Sequence, residues 1–461
     1  MKAAVKIGKL LCSPELFRTV CMTAVLLLHI TPLTAQIVPY MKLLHIYALL
    51  VIMSDLCGER RIIRNKGRVC LALFVLFYGV TVLCNPSLLT LSDLSAFGYE
   101  WIVLAVVYSY GGEDARICIV FHHVTLAVIA LLNAASIVMF FEKIRIYVPS
   151  AKKYIGMFLF ENRLSGLCGN PNVLAAVSMV GMVFCALAFV RAERKRRRYW
   201  YFLPFSIDLI AMLLANSRAA IYSLITVCAV CAGLTVSLHV KGIRGMALAL
   251  CAAAVAAGAV FGVCRAVQYG LSVTEQAYLA LRDEAAEQGG EASAETDDGG
   301  GSRFDWMEST VVRDKDSGLS GREEVWRGGL RAFLRRPLFG YGTERQQEAF
   351  DEAGVTAKLY NGGLHNAYLE VLLAYGLAGF LCLAGFLIAA AGGVIRFFRS
   401  GESARREEAI LLTAVLCGYA LYALVESTPM HAMEPTPIAI WYLMSRLVGL
   451  TEGGACSPMK Q

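Results

Sequence analysis

The sequence predicts an all-α, polytopic integral membrane protein with about 12 transmembrane helices and one large extracytoplasmic loop. Three observations carry this reading. The chain is 57% hydrophobic and 17% charged, more apolar and less charged than a soluble domain. Its apolar residues fall in long runs, each near the roughly 20 residues that a helix needs to cross a bilayer. Its basic residues cluster in short loops between those runs, as cytoplasmic connections do. Open sheets are excluded as spanning elements, because lipid leaves their backbone polar groups unsatisfied. The net charge of +7 resides largely in the loops and gives no nucleic-acid signal.

Taken in order, the expected spans are Phe17–Ile37, Tyr40–Cys57, Val69–Cys84, Leu94–Tyr110, Ile117–Phe140 and Leu167–Val190. Then come Tyr199–Ala215, Ala219–Leu238, Gly245–Cys264, Leu364–Ile395, Ala409–Val425 and Pro435–Leu450. The fourth is short and carries Glu100. The first is followed by further spans, so it reads as a retained helix rather than a cleaved signal. Loops 59–68, 191–198, 241–244 and 396–406 are basic and share one side with Lys2, Lys6 and Lys9. The positive-inside rule makes that side cytoplasmic and puts both termini there. The run RKRRR at 194–198 then acts as a topology determinant. Residues 1–264 thus hold helices 1–9, residues 265–363 form the outer loop, and residues 364–461 hold helices 10–12 and a short tail. The 15 cysteines lie almost entirely in apolar runs, and the loop has none, so no disulfide braces it.

The loop has two parts. Residues 282–320 are rich in Glu, Asp, Gly and Ser and cannot bury enough apolar surface to pack, so they read as a flexible insertion. Residues 322–342 differ. Trp326, Leu330, Phe333 and Leu334 recur at helical spacing beside Arg327, Arg331 and Arg335, the pattern of an interfacial amphipathic helix. Pro337 and Gly340-Tyr341-Gly342 end it and turn the chain.

Candidate functional residues gather at the outer ends of the spans. Arg218 follows Ser217 between the seventh and eighth spans, where a charge needs a partner, water or a polar cavity. Arg163 precedes Asn170-Pro171, a pair suited to capping the sixth span. Arg322 and Arg327 lie in the amphipathic segment, and guanidinium groups pair bidentately with phosphate. The simpler role for Arg331, Arg335 and Arg336 is contact with lipid headgroups. His365 stands where the loop enters the tenth span, and imidazole can accept a hydroxyl proton. Glu426, His431 and Glu434 crowd the last outer loop and are candidates to assist substrate binding. Cys228 and Cys231 have metal-like spacing but lie inside an apolar span without a second pair, so zinc is rejected. No Walker A, GxSxG or HExxH motif is present.

Four segments together resemble the O-antigen ligase and O-antigen polymerase superfamily of bacterial membrane glycosyltransferases. They are RLSGLCGNPNVLA (163–175), LLANSRAAI (213–221), GREEVWRGGLRAFLRRPLFGYG (321–342) and LHNAYLEVLLAYGLAGF (364–380). The resemblance implies a glycan donor carried on polyprenyl diphosphate in the bacterial cytoplasmic membrane. It implies transfer at the outer face to a glycan, lipid or protein acceptor, with no cofactor and no metal. By position, Arg218 and Arg322 match the family arginines that hold the diphosphate, and His365 matches the histidine that deprotonates the acceptor. The acidic insertion departs from the family pattern. An alternative function is non-catalytic transport or flipping of a lipid-linked glycan, although transporters more often show repeat symmetry and broken helices in both halves.

Overall fold

The computed structural model describes residues 11–58, 68–84, 95, 97–100, 102–108, 115–157, 163–192, 195–289, 322–343, 345–357, 359, 363–400, 405–427 and 433–451. The insertion beyond residue 289, the basic loop at 59–67, the N-terminal lysines and His431 lie outside these residues. The described chain is mainly helical, with α1 (Pro14–Leu28), α2 (Met41–Cys57), α3 (Arg68–Cys84), a π-helical stretch at Ile102–Tyr108, and α4 (Ala115–Phe141). Strands β1 (Arg145–Val148), β2 (Lys153–Met157) and β3 (Leu164–Gly166) follow, then α5 (Pro171–Arg191), α6 (Phe202–Ala215), α7 (Arg218–His239) and α8 (Gly242–Gly289). The chain closes with α9 (Arg322–Arg335), α10 (Gln346–Glu352), α11 (Ala367–Ser400), α12 (Arg406–Tyr422) and α13 (Pro435–Thr451).

Each of the twelve expected spans has a helical counterpart. Among the described residues, six helical segments are long and apolar enough to cross a membrane: Thr31–Cys57, Val120–Phe141, Pro171–Arg191, Arg218–His239, Gly242–Leu281 and Ala367–Ser400. The other six counterparts are shorter, as in the 14 residues of α6 and the 17 of α13. Such lengths reach only about 21–26 Å at 1.5 Å per residue. Helix α8 overruns its expected end at Cys264 and continues to Gly289, into the start of the anticipated loop. The extension is rich in Ala, Leu, Glu, Gln and Arg, all strong helix formers.

The chain divides into two compact units, one of Met1–Leu26, Gln36–Thr125 and Ser317–Gln461, the other of Leu27–Ala35 and Leu126–Asp316. In the second unit, α5 packs along α6 and α7 along α8. A small sheet, absent from the all-α expectation, joins β1, β2 and β3 antiparallel in that order. Asn133 donates to the buried carboxylate of Asp208 at 2.7 Å, and Gly181 leaves the room that this carboxylate occupies. The predicted cap is present, with Asn170 Oδ1 accepting the Asn172 N–H at 2.9 Å and Pro171 in the first turn of α5.

In the first unit, α3 and α13 both pack against α11. Glu100 is buried and accepts a hydrogen bond from Tyr375, whose ring stacks on Phe74 at 4.4 Å. That bond gives the carboxyl group of the short fourth span a polar partner, as an ionisable group in an apolar setting requires. His122 meets the Tyr442 hydroxyl at 2.9 Å. Glu408 and Arg446 form a buried ion pair between α12 and α13.

Helix α11 is broken at Gly376, where φ is 64° and ψ is −169°. The break frees backbone groups that an apolar setting cannot leave unpaired. Residues 337–342 fill it. Tyr341 N–H donates to Leu373 O and Gly342 N–H to Ala374 O, both at 2.9 Å. In return Leu377 N–H donates to Pro337 O at 2.7 Å and Ala378 N–H to Leu338 O at 3.1 Å. The PLFGYG segment therefore docks main chain to main chain, beyond the simple turn expected of it. Thr81 and Tyr78 of α3 hold it from behind, through Phe339 O and the Thr343 hydroxyl.

Candidate functional site

Helix α9 forms the approach to the site. It is amphipathic as expected, but its buried face is Val325, Gly328, Gly329 and Ala332 rather than the leucines. The glycines explain the difference. A Cβ on Gly328 would lie 2.7 Å from Val355, and one on Gly329 would lie 2.9 Å from Leu369, so only glycine lets α9 seat this closely on α10 and α11. Trp326 and Phe333 pack half-buried at the edge, while Leu330 (50% exposed) and Leu334 (71% exposed) remain outside with Arg327, Arg331 and Arg335. The Trp326 indole donates to Leu364 O at 2.9 Å, which ties α9 to the residue before His365.

Around His365 the chain turns sharply. Its backbone is left-handed, with φ of 50°, uncommon for a residue with a side chain. Asn366 then caps α11 by accepting the Leu369 N–H at 3.0 Å. The imidazole Nδ1 is buried and lies 3.5 Å from Glu426 Oε2. The other oxygen of Glu426 is 3.3 Å from Arg322 Nη2, and Arg322 Nη1 donates to Val425 O. Both Glu426 (8% exposed side chain) and His365 (16%) are shielded from water, which strengthens electrostatic interaction between them. One carboxylate thus stands between the guanidinium and the imidazole.

Beneath this trio lie groups that the sequence reading did not single out. Ser427 Oγ accepts the His365 N–H at 2.8 Å and donates to Glu370 Oε1 at 2.5 Å. The same Glu370 oxygen accepts the Leu364 N–H at 2.9 Å. Glu370 falls five residues after His365 and is buried in the first turns of α11, a place that reads in sequence as a plain helix position. Glu434, a candidate from the sequence, sits just before α13, and burial, then Glu370 and Glu426, push its carboxyl up to about 8.

The remaining candidates separate from this cluster. Arg327 pairs with Glu323 one turn away at 2.6 Å, on the exposed side of α9. Arg336 pairs with Glu352 at 2.5 Å and lies over the Tyr341 ring. Its guanidinium is held above the usual range by that hydrogen bond. Arg163 and Arg218 belong to the second unit. Arg163 donates to Ala215 O at 2.9 Å and to Asn172 Oδ1 at 2.7 Å, joining the end of α6 to the start of α5. Arg218 opens α7 with an exposed side chain, just after the left-handed Asn216 that ends α6.

Comparison with protein families finds that residues 203–384 match the family model described as O-antigen ligase. The matched segment contains Arg218, Arg322, Arg327 and His365, whereas Arg163 precedes it and Glu426 follows it. Comparison with curated proteins finds no match.

Proposed function

We propose that this chain is a membrane glycosyltransferase of the O-antigen ligase and polymerase type, a reading supported by the match of residues 203–384 to the O-antigen ligase family model. The donor is a glycan on polyprenyl diphosphate, the acceptor is a hydroxyl of a glycan, lipid or protein, and transfer takes place at the outer face of the bacterial cytoplasmic membrane. The observation that carries this reading is Glu426 poised between His365 and Arg322. Transfer to a hydroxyl needs a base, and a lipid diphosphate leaves more readily where fixed cations meet its developing charge. With Nδ1 facing Glu426, Nε2 is the nitrogen that takes the acceptor proton, and the carboxylate stabilises the imidazolium that forms. Arg322 binds diphosphate oxygens in place of Glu426, which leaves that carboxylate facing His365. The family resemblance assigns diphosphate binding to Arg218 as well, and its side chain is exposed in the second unit. Cationic side chains here do the work that a metal does elsewhere. Transport alone would not call for a base shielded beside a carboxylate.

The exposed Leu330, Leu334 and Leu338 on and after α9 form a stripe suited to the outer membrane interface. The termini and the loop at 191–198 are cytoplasmic on this reading, so a cysteine introduced at Lys195 should resist an impermeant thiol reagent in intact cells.

The deciding experiment uses the purified full chain with undecaprenyl-diphosphate-linked oligosaccharide as donor. The acceptor is the same glycan or a lipid A core oligosaccharide, whichever the wild type extends. His365→Ala should lower transfer by about 10²–10⁴-fold while donor binding survives. Arg322→Ala and Arg218→Ala should each weaken donor binding, with Lys restoring only part, because one ammonium cannot replace a bidentate fork. Exposed Arg335→Ala should do much less. Near-normal transfer by folded His365→Ala would remove the base from this residue.

A further inference from the structure

We propose that Ser427 and Glu370 are positioning residues that hold His365 in its working orientation. The inference rests on His365 being the base, and it concerns how that base is kept aimed. The left-handed turn at His365 (φ 50°) is a minority conformation for any residue with a side chain, though histidine enters it more often than most. A conformation of this kind persists when its surroundings over-determine it. Three hydrogen bonds do so here. Ser427 Oγ accepts the His365 N–H at 2.8 Å. The single hydroxyl proton of Ser427 goes to Glu370 Oε1 at 2.5 Å, so the serine is itself fixed. Glu370 Oε1 also accepts the Leu364 N–H at 2.9 Å, which pins the residue on the other side of the turn's entry.

The arrangement is economical in sequence. Glu426 and Ser427 are adjacent, so one dipeptide approaches both the ring and the backbone of His365. Glu370 sits on α11, the helix that His365 introduces, and anchors that dipeptide from a rigid element. Gly363 completes the fit. A Cβ there would fall 2.4 Å from Ser427 Oγ, so any larger residue would displace the serine.

The test is steady-state transfer by the purified full chain with the donor and acceptor used above. Ser427→Ala should lower kcat by between about tenfold and a hundredfold, the scale of a misplaced catalytic group, with donor KM unchanged. Ser427→Thr keeps the hydroxyl and should recover most of the loss. Glu370→Leu should act like Ser427→Ala, and Glu370→Gln should recover, since an amide oxygen accepts both bonds. Gly363→Ala offers a route to the same defect without touching either polar residue. In a His365→Ala background, Ser427→Ala should add nothing further, because the residue it positions is gone. Wild-type kcat in Ser427→Ala, or an equal added loss in the His365→Ala background, would overturn the inference while leaving His365 as the base. Full activity in His365→Ala itself would instead overturn the catalytic reading on which the inference rests.

Discussion

Replacing Gly376 by alanine should unseat the 337–342 segment from α11. The magnitude follows from two contributions. Gly376 has φ of 64° and ψ of −169°, a region almost confined to glycine, where another residue costs about 1–3 kcal/mol. The new Cβ would also stand 2.3 Å from Leu338 O, 2.4 Å from Leu338 C and 2.5 Å from Phe339 N. These are backbone atoms, so relief requires the segment to withdraw. Withdrawal sacrifices at least the bonds from Leu377 to Pro337 and from Ala378 to Leu338, each worth about 0.5–1.5 kcal/mol net. Together the loss is roughly 2–6 kcal/mol, a large share of the 5–15 kcal/mol that stabilises a typical protein. Thermal unfolding in detergent, followed by tryptophan fluorescence at fixed scan rate, measures it. Gly385→Ala is the matched control in the same helix, because its Cβ would meet no atom within 4 Å. That variant should be neutral or gain up to about 1 kcal/mol from helix propensity. Equal stability of the two variants would refute the docking argument.

Three further outcomes are expected. Arg163→Ala should destabilise by about 1–3 kcal/mol, through loss of the bonds to Ala215 O and Asn172. A raised donor KM at unchanged melting temperature would return this arginine to substrate binding. Trp326→Phe should cost about 1 kcal/mol by removing the bond to Leu364 O, and turnover should fall with donor KM steady. Glu434, a carboxyl raised from 4.5 to about 8, holds its proton more tightly folded than unfolded. Its contribution is therefore full below about pH 4.5 and is lost as pH rises through about 8. Glu434→Gln should flatten that decline in a series of melting temperatures against pH, and an unchanged slope would contradict it.

Much of the helical scaffold was legible because apolar run length is a direct consequence of bilayer thickness. The Asn170-Pro171 cap and the amphipathicity of α9 were legible because both are local patterns. His365, Arg322 and Glu426 were singled out separately by residue type and position, and in the first unit they stand together. What escaped was non-local. Glu370 and Ser427 gain meaning only through pairing across 57 residues of chain. The apolar stripe of α9 reads as an interfacial face, and its seat on α10 and α11 at Gly328 and Gly329 carries no apolar signal. Strands β1 to β3 are three to five residues long, too short for alternation to declare them. Arg163 was named from its charge, and its carbonyl partner at the end of α6 has no signature in sequence.

The joint between residues 337–342 and the break in α11 uses main-chain atoms on both sides. None of its four bonds depends on what Leu338 or Phe339 carries beyond Cα. The joint is therefore strict about spacing and lenient about composition. Side chains at positions 338 and 339 can drift, provided that the backbone keeps its course. A one-residue insertion or deletion between Leu338 and Tyr341 would throw the pair of bonds at 337 and 338 out of register with the pair at 341 and 342 and strand polar groups of α11 in an apolar environment. Divergence among descendants of this chain should accordingly be recorded here as substitutions at constant length.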